Sequence, residues 1–369
     1  MALVRGMPDG CRLRVVGGSR AGRGVHVLSV GGAAAQRSVV VVGGGCGDER
    51  VGSATALRLA ERVAGRPELH AGLGVSWHFL LCLDPDGAAL TEGAPTGPRS
   101  LVRHFRYAYR APDDEQPEVA PAIRAAGDQL PESQALVDLI DELRPRLQCS
   151  LHGDVVGGSR VRLTRALPGL AESAAELSAE RKIPVHVGGC DEPYRAAHPT
   201  WFRPHRHGGM TAVIEVPMWA SHRVADPAPH PDPSRALHDL AALRRAQSDR
   251  TKALLADVRA LLPGTGSPVT LASEPHYSPV PLTRGHVAAL DIAVRRTSLR
   301  AVGTLLRLLD ALPETVRTQA VRADCERQLA HWSGELEREH QPVWVPVPDQ
   351  VELQSETVLA AVRLLLAND

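Results

Sequence analysis

Residues 39–49, with the sequence VVVVGGGCGDE, are the most informative stretch of the chain. Four β-branched residues followed by glycines are typical of a buried parallel strand that ends in a loop. Open α/β sheets bind ligands in such loops, at the carboxyl ends of their strands. Cys46 and Glu49 stand three positions apart in this loop, and both are potential metal ligands. The segment therefore predicts a ligand-binding loop at the end of a strand, with two potential metal ligands in it.

Outward from this segment, short apolar runs alternate with helical patterns. We predict strands over residues 12–16, 24–30, 38–42, 76–83, 147–151, 184–187 and 211–216. Helices are predicted over residues 52–63, 132–143 and 171–181. Strands and helices in this order indicate an α/β fold, with a mixed, mostly parallel central sheet flanked by helices.

A proline-rich segment at residues 225–233 interrupts this pattern, because proline fits neither a helix interior nor a central strand. Helical patterns follow it over residues 234–262, 285–312, 314–337 and 352–366. We therefore expect a catalytic domain over residues 1–224 and a mostly helical extension over residues 225–369. The apolar faces of these helices favour packing on the first domain, or a homodimer contact, over a catalytic role.

The composition limits the classes of partner. Lys and Arg number 42, as do Asp and Glu, so no overall field favours nucleic acid or an anionic membrane. Aromatic residues make up 3% of the chain, which argues against a base-stacking surface. The sequence contains neither an 18-residue apolar run nor the apolar core of a signal peptide. We therefore expect a cytoplasmic protein that spans no membrane and keeps its six cysteines reduced.

Four short segments are similar, in sequence and in order, to motifs of the zinc carboxypeptidase family. They are residues 44–49 (GGCGDE), 83–87 (LDPDG), 150–153 (SLHG) and 211–217 (TAVIEVP). In that family the first motif is His-x-x-Glu and the second is an Asn-Pro-Asp-Gly turn. The third supplies the last metal ligand, and the fourth carries the catalytic Glu. The resemblance covers residues 10–220 and implies a zinc carboxypeptidase-like fold for that part of the chain.

The resemblance further implies a zinc-dependent hydrolase of the metallocarboxypeptidase type. Cys46, Glu49 and His152 would hold Zn²⁺ and leave one position for water. Zinc lowers the pKa of a water ligand to about 7. Glu215 would be the general base and acid, which takes the proton of the water and passes it to the leaving amine. The expected reaction releases a C-terminal amino acid from a small peptide or deacylates a small N-acyl amino acid.

Cys46 departs from the family pattern, which has His at this position. A thiolate donates more charge than an imidazole, so zinc would polarise water and substrate less strongly. The site could be a retuned zinc site, a site for another metal, or a site that binds without hydrolysing. Two alternatives therefore stay open: a pseudoenzyme that binds a peptide or amino-acid derivative, and a thiol hydrolase with Cys46 as nucleophile and His152 as base. A buried, inert thiol is the simplest explanation of Cys46 taken alone.

The resemblance also implies a clamp for the substrate carboxylate, because the family uses Arg side chains that bind it in a bidentate manner. Arg106 is the first candidate, Arg110 is the second, and Arg103 is a further one. A surface ion pair is the alternative for each of them. Tyr107 stands where some family members carry Asn. The acidic run at residues 113–118 is predicted to be a solvated loop.

Overall fold

A computed structural model of the protein describes residues 10–32, 35–92, 100–125, 127–188, 199–262 and 282–368. The strands are β1 (Cys11–Gly18), β2 (Gly24–Val30), β3 (Arg37–Val42), β4 (Val75–Leu80), β5 (Leu147–Gly157), β6 (Arg160–Leu163), β7 (Met210–Ala220) and β8 (Val343–Trp344). The helices are α1 (Arg50–Ala64), α2 (Pro85–Leu90), α3 (Leu101–Tyr107), α4 (Ala120–Ile123), α5 (Pro131–Leu143), α6 (Leu170–Glu180), α7 (Pro199–Phe202), α8 (Pro233–Arg259), α9 (Arg284–Asp310), α10 (Val316–His340) and α11 (Val347–Ala367).

The described strands form an 8-stranded sheet with the order β1-β2-β4-β3-β5-β7-β6, and β8 pairs with β7. The four strands at the centre, β4, β3, β5 and β7, run parallel to one another. The remaining pairings are antiparallel and lie toward the edges of the sheet. The predicted α/β fold, with a mixed sheet and a parallel centre, is confirmed.

The valines of β3 explain why this strand is central, because alternate side chains point to opposite faces of a sheet. Val39 and Val41 pack into a core that includes α1 on one face. Val40 and Val42 pack with α5 on the other face. With both faces covered, β3 has no solvated side, and its near-continuous apolar sequence follows from that position.

Helix α11 packs on the same core from the far end of the sequence. It contacts α1, α6 and β7, and residues such as Val358 and Val362 are fully buried beside the strands. Gln354 is the polar residue of this contact and is completely buried. Its side-chain amide donates to the carbonyl oxygens of His152 (2.8 Å) and Ile214 (3.2 Å), and its oxygen accepts from Thr55 Oγ1 (2.7 Å).

Helices α8, α9 and α10 share a second core. Apolar residues of all three are buried there together with Phe105 of α3 and Trp219 of β7. This helical layer therefore lies against the carboxyl half of β7, and α9 also contacts β5. None of the helices in the described ranges combines the length and apolarity needed to cross a membrane.

The structure differs from the sequence-based prediction at several elements. The predicted strand at 184–187 is wrong, since only Val185 forms an isolated bridge, to Ser159. Strand β5 continues past His152 to Gly157 because β7 pairs with it over this whole length. The turn signal at residues 84–87 begins helix α2, with the Asp84 side chain accepting from the Gly87 amide (2.8 Å). Strand β6 was not predicted.

We expect Gln354→Leu to lower the free energy of unfolding by about 2–3 kcal/mol, because it leaves a buried hydroxyl and two buried carbonyls without this partner. Chemical denaturation measures the change. The matched control is Gln319→Leu on the exposed face of α10, for which we expect a change within about 0.5 kcal/mol. Equal effects of the two substitutions would contradict the proposed role of the Gln354 amide.

Candidate metal and substrate site

The loop after β3 takes a tight path that requires glycine. Gly44 has a positive φ of 62°, which side chains with a Cβ rarely adopt. A Cβ on Gly47 would lie 2.3 Å from the carbonyl carbon of Gly87, so the loop packs directly on the backbone of α2. This path turns Cys46 inward and brings Glu49 to the first turn of α1, where both side chains are buried.

The sheet brings the next two predicted residues side by side. His152 of β5 is paired with Glu215 of β7 in the parallel register, and Arg160 of β6 is paired with Glu215 from the other side. His152 and Glu215 are each 8% exposed. Three neighbouring strands thus present an imidazole, a carboxylate and a guanidinium in one row, which crosses the middle of β5 and β7 two residues past the level at which β3 ends.

Cys46, Glu49 and His152 converge on one point. One donor atom from each lies within 4.8 Å of the other two, and all three residues are buried. A thiolate, a carboxylate and an imidazole are donors that zinc accepts, and three protein ligands leave a fourth position open. The donor set therefore fits a catalytic zinc ion, and residues from the β3 loop and from β5 could hold it together.

His152 lies between two carboxylates. Its Nδ1 is 2.8 Å from Glu49 Oε2, and its Nε2 is 2.9 Å from Glu118 Oε2. Burial alone would lower the pKa of His152, but the two carboxylates outweigh it and raise this pKa well above its ordinary value. Without a metal the ring is therefore an imidazolium. Its Nδ1–H donates to Glu49 and its Nε2–H to Ser150 Oγ (3.0 Å), while Glu118 Oε2 lies beside Nε2 at ion-pair distance.

Cys46 is a poor nucleophile in this setting. Its Sγ donates to Gln116 Oε1 over 3.4 Å, and burial raises the pKa of the thiol to about 11. A protonated thiol does not attack carbonyls, and an imidazolium at His152 has no lone pair with which to accept its proton. A metal ion would remove this obstacle to ionisation, because coordination deprotonates a thiol.

Arg110 is the one member of the predicted clamp that reaches this cluster. Its guanidinium contacts Glu49 Oε1, Asp48 Oδ1 (3.2 Å) and Gln116 Oε1 (3.2 Å). Burial alone would raise the pKa of Glu49, but Arg110 and His152 outweigh it and bring it to about 2. Arg110 therefore balances the negative charge of the ligand loop.

Glu215 carries two ion pairs. Arg160 Nε donates to Glu215 Oε2 over 2.8 Å, and Arg162 Nη2 contacts Oε1. Burial would raise the pKa of Glu215, but the two guanidinium groups outweigh it and hold the pKa far below its usual range. The carboxylate is thus ionised at neutral pH and is a weaker base than a free Glu.

A cavity of about 310 Å³ joins these groups. Helix α9 closes one side of it with Arg296, which contacts Asp154, and Arg300, whose Nη2 lies 3.3 Å from Asp48 Oδ2. Burial and the neighbouring guanidinium groups lower the pKa of Arg296 to about 9 and also lower that of Arg300. The buried Arg300 Nε has no hydrogen-bond partner. These properties indicate a place for an anion.

Arg106 and Arg103 lie elsewhere. Arg106 forms a bidentate pair with Asp310 at the end of α9, with both distances 2.8 Å, and Arg103 is on the exposed face of α3. Neither residue is part of the cavity lining. The short helix α3 explains this, because residues 103 and 106 project from it while Arg110 follows its end and turns inward.

The residues of the cavity that were not predicted from the sequence include Glu118, Arg160, Arg162, Arg296 and Arg300. The prediction of a solvated loop at 113–118 is wrong for Gln116 and Glu118, which are 3% and 2% exposed. The sequence signals for the arginines were weak. Arg160 and Arg162 are two positions apart on a strand, and Arg296 and Arg300 are four positions apart on a helix, so that each pair lies on one face.

One family model and several solved structures are similar to this chain. The family model described as zinc carboxypeptidase matches residues 1–163, while no curated protein sequence matches the chain. A metallo-carboxypeptidase structure from Burkholderia cenocepacia is 17% identical, with a TM-score of 0.38 and 60% of each chain covered. A Pseudomonas aeruginosa metallo-carboxypeptidase bound to (2-guanidinoethylmercapto)succinic acid is 15% identical, with a TM-score of 0.42 and coverage of 83% of this chain and 68% of the other.

A third similar structure is the murein-tripeptide amidase of Escherichia coli O157, with 18% identity, a TM-score of 0.36 and coverage of 58% of this chain and 86% of that one. The matched part of this chain spans about 60% of the length of the B. cenocepacia protein. The segment that the family model matches includes Cys46, Glu49 and His152. Residues 1–163 are therefore similar in sequence to the zinc carboxypeptidase family.

Proposed function

We propose that this protein is a zinc-dependent hydrolase of amide bonds. Its substrate is a small peptide with a free C-terminal carboxylate or a small N-acyl amino acid. The observation that supports this most directly is the convergence of Cys46, Glu49 and His152 in a cavity that also contains Glu215 and several arginines. Zinc bound to the three donors would supply the positive charge that polarises the amide carbonyl and the attacking water.

Other residues of the cavity would carry out proton transfer and substrate binding. Glu215, on the strand beside His152, would accept the proton of the attacking water and return it to the leaving amine nitrogen. Arg296 and Arg300 would hold the substrate carboxylate, since both side chains are partly buried at the cavity wall and Arg300 Nε has no hydrogen-bond partner. Arg110 is committed to Asp48 and Glu49, so its role in this proposal is to balance the ligand charge.

Cys46 and Arg110 together explain how the site would tolerate a thiolate ligand. A Cys/Glu/His donor set has two formal negative charges, one more than a His/Glu/His set. The guanidinium of Arg110 touches Glu49 and is a source of positive charge for Cys46. The positive charge of Arg110 would offset part of the charge that the thiolate donates to zinc. Zinc would still polarise water and substrate less than it does in a His/Glu/His site.

A second candidate is a protein that binds the same class of ligand without turnover. The observation that favours it is the pair of arginines on Glu215, which weakens this carboxylate as a base. If both ion pairs persist when substrate binds, hydrolysis loses its proton acceptor. The thiol hydrolase has less support, because the Cys46 thiol and the His152 imidazolium are both protonated in the metal-free site.

The first experiment is the metal content of the purified protein, by elemental mass spectrometry. We expect about one zinc per chain in the wild type and its loss in Cys46→Ala, because removal of one of three ligands leaves two. Cys325→Ala, a fully buried thiol in α10, is the matched control and should keep the metal. A folded wild-type protein that takes up no zinc would refute the proposed hydrolase.

Cys46→His separates a ligand from a nucleophile. We expect this variant to keep zinc and to hydrolyse at least as fast as the wild type, because imidazole restores a common ligand set. Steady-state kinetics on a panel of short peptides and N-acyl amino acids measure the rate. A variant that retains zinc but has no activity would favour Cys46 as the nucleophile.

Glu215→Gln should keep zinc and lower kcat by roughly 10²–10⁴-fold, because the amide accepts no proton from water. Zinc content and kcat are measured on the same preparation. An unchanged kcat would exclude Glu215 as the general base. A wild-type protein that binds zinc and substrate analogues but has no measurable kcat supports the binding protein instead.

Arg300→Gln should raise KM by roughly 10–100-fold with a smaller effect on kcat, because it removes a charged hydrogen-bond donor to the substrate carboxylate. Asp48 keeps Arg110 as a partner in this variant. Arg106→Gln is the control, since its guanidinium pairs with Asp310 outside the cavity. The clamp is misassigned if the Arg106 variant raises KM more than the Arg300 variant does.

A further inference from the structure

Glu118 is a carboxylate that the proposed mechanism does not use, although it is buried against a proposed metal ligand. It is 2% exposed, and its Oε2 lies 2.9 Å from His152 Nε2. A buried carboxylate is costly unless it is paired and hydrogen-bonded, so its position requires an explanation. It cannot itself bind a metal held by His152 Nδ1, because it faces the opposite edge of the ring.

The rest of the Glu118 side chain is held by neutral donors. Ser150 Oγ donates to Oε1 over 2.6 Å, and Trp201 Nε1 donates to the same oxygen over 3.1 Å. The backbone is also tied, because Thr200 Oγ1 donates to the Glu118 carbonyl oxygen over 2.9 Å. With Oε1 occupied by these two donors, Oε2 is left to face His152.

The ring of His152 is enclosed as well. Trp201 packs against it edge to face, with ring centroids 6.0 Å apart. Ser150 Oγ lies 3.0 Å from Nε2 and, because its own proton goes to Glu118 Oε1, it is the acceptor of the Nε2 proton. A neutral imidazole has one N–H, and a metal needs the lone pair of the other nitrogen. An acceptor fixed at Nε2 therefore leaves Nδ1, the nitrogen on the side of Glu49 and Cys46, as the donor to the metal.

We infer that Glu118 is a positioning residue for His152. It accepts from the Ser150 hydroxyl, so that Ser150 Oγ accepts the Nε2 proton of His152, and its charge beside Nε2 favours that proton, which leaves Nδ1 to bind the zinc ion. The inference rests on the proposed zinc site. It concerns metal affinity and ligand orientation, so it is tested without substrate. Carboxylates that accept from the second nitrogen of a ligating His are worth about 10–100-fold in metal affinity.

The decisive variant is Glu118→Gln, which preserves shape and burial. Its amide oxygen can still accept from Ser150 and Trp201, and its NH₂ group then faces Nε2. That contact favours the tautomer with the proton on Nδ1, which blocks the metal. We expect a zinc affinity about 10–100-fold below that of the wild type, measured by competition with a chromophoric chelator. Glu118→Asp, which retains the charge, should recover part of the loss.

Glu115→Gln is the matched control. It lies in the same acidic run, and its carboxylate pairs only with the exposed Arg20 among the described contacts. Its zinc affinity should equal that of the wild type. The Co²⁺-substituted proteins provide a second readout, because visible absorption reports the geometry around the ion. We expect an altered visible spectrum for Glu118→Gln and an unchanged one for Glu115→Gln, while the thiolate-to-cobalt band persists in both.

The outcomes separate this inference from the proposed function. The positioning role would be overturned, and the zinc site left intact, by a Glu118→Gln protein whose zinc affinity is within threefold of the wild type and whose cobalt spectrum is unshifted. A wild type that binds neither zinc nor cobalt would overturn both. Thermal unfolding of the metal-free variants shows whether a loss of zinc affinity arises from misfolding. If Glu118→Gln is misfolded, the Glu118→Asp protein is the test. Recovery of zinc affinity in Glu118→Asp supports the inference, and no recovery refutes it.

Discussion

The buried chain of charges through His152 is the interaction on which the site depends. Glu49 lies at one ring nitrogen of the His152 imidazolium and Glu118 at the other, with distances of 2.8 and 2.9 Å between their polar atoms. Each carboxylate would be expensive to bury alone, and each is stable here because the cation between them serves both. The positions of the β3 loop, of β5 and of the segment before α4 are coupled through this one ring.

Further ion pairs surround these three residues. Arg110 pairs with Glu49 and Asp48, Arg300 also contacts Asp48, and Arg296 contacts Asp154. Acidic and basic groups thus alternate across the cavity, and a change at one position alters the partners of the next. A thiolate at position 46 adds one negative charge to this network, and the guanidinium of Arg110 is the group placed to compensate for it.

The helical part of the sequence contributes directly to the site. Helix α11 completes the core on one face of the sheet, and Gln354 binds the carbonyl oxygen of His152 itself. Helix α9 provides Arg296 and Arg300 to the cavity wall. These residues lie outside the segment that matches the zinc carboxypeptidase family, so the proposed metal donors and the proposed carboxylate clamp come from different parts of the chain.

The sequence by itself determined the central strands and the glycine loop, because periodicity and spacing are properties of neighbouring residues. The candidate donors Cys46, Glu49 and His152 followed from the resemblance of short motifs to those of the zinc carboxypeptidase family. Their convergence could be expected from the rule that parallel strands end at one edge. Only the tertiary structure decided that Glu118 is buried against His152 and that Arg296 contacts Asp154 across 142 positions. Such pairs leave no local pattern, since a charged residue in an acidic run or on a helix face has the same sequence signature whether solvent or a distant partner neutralises it.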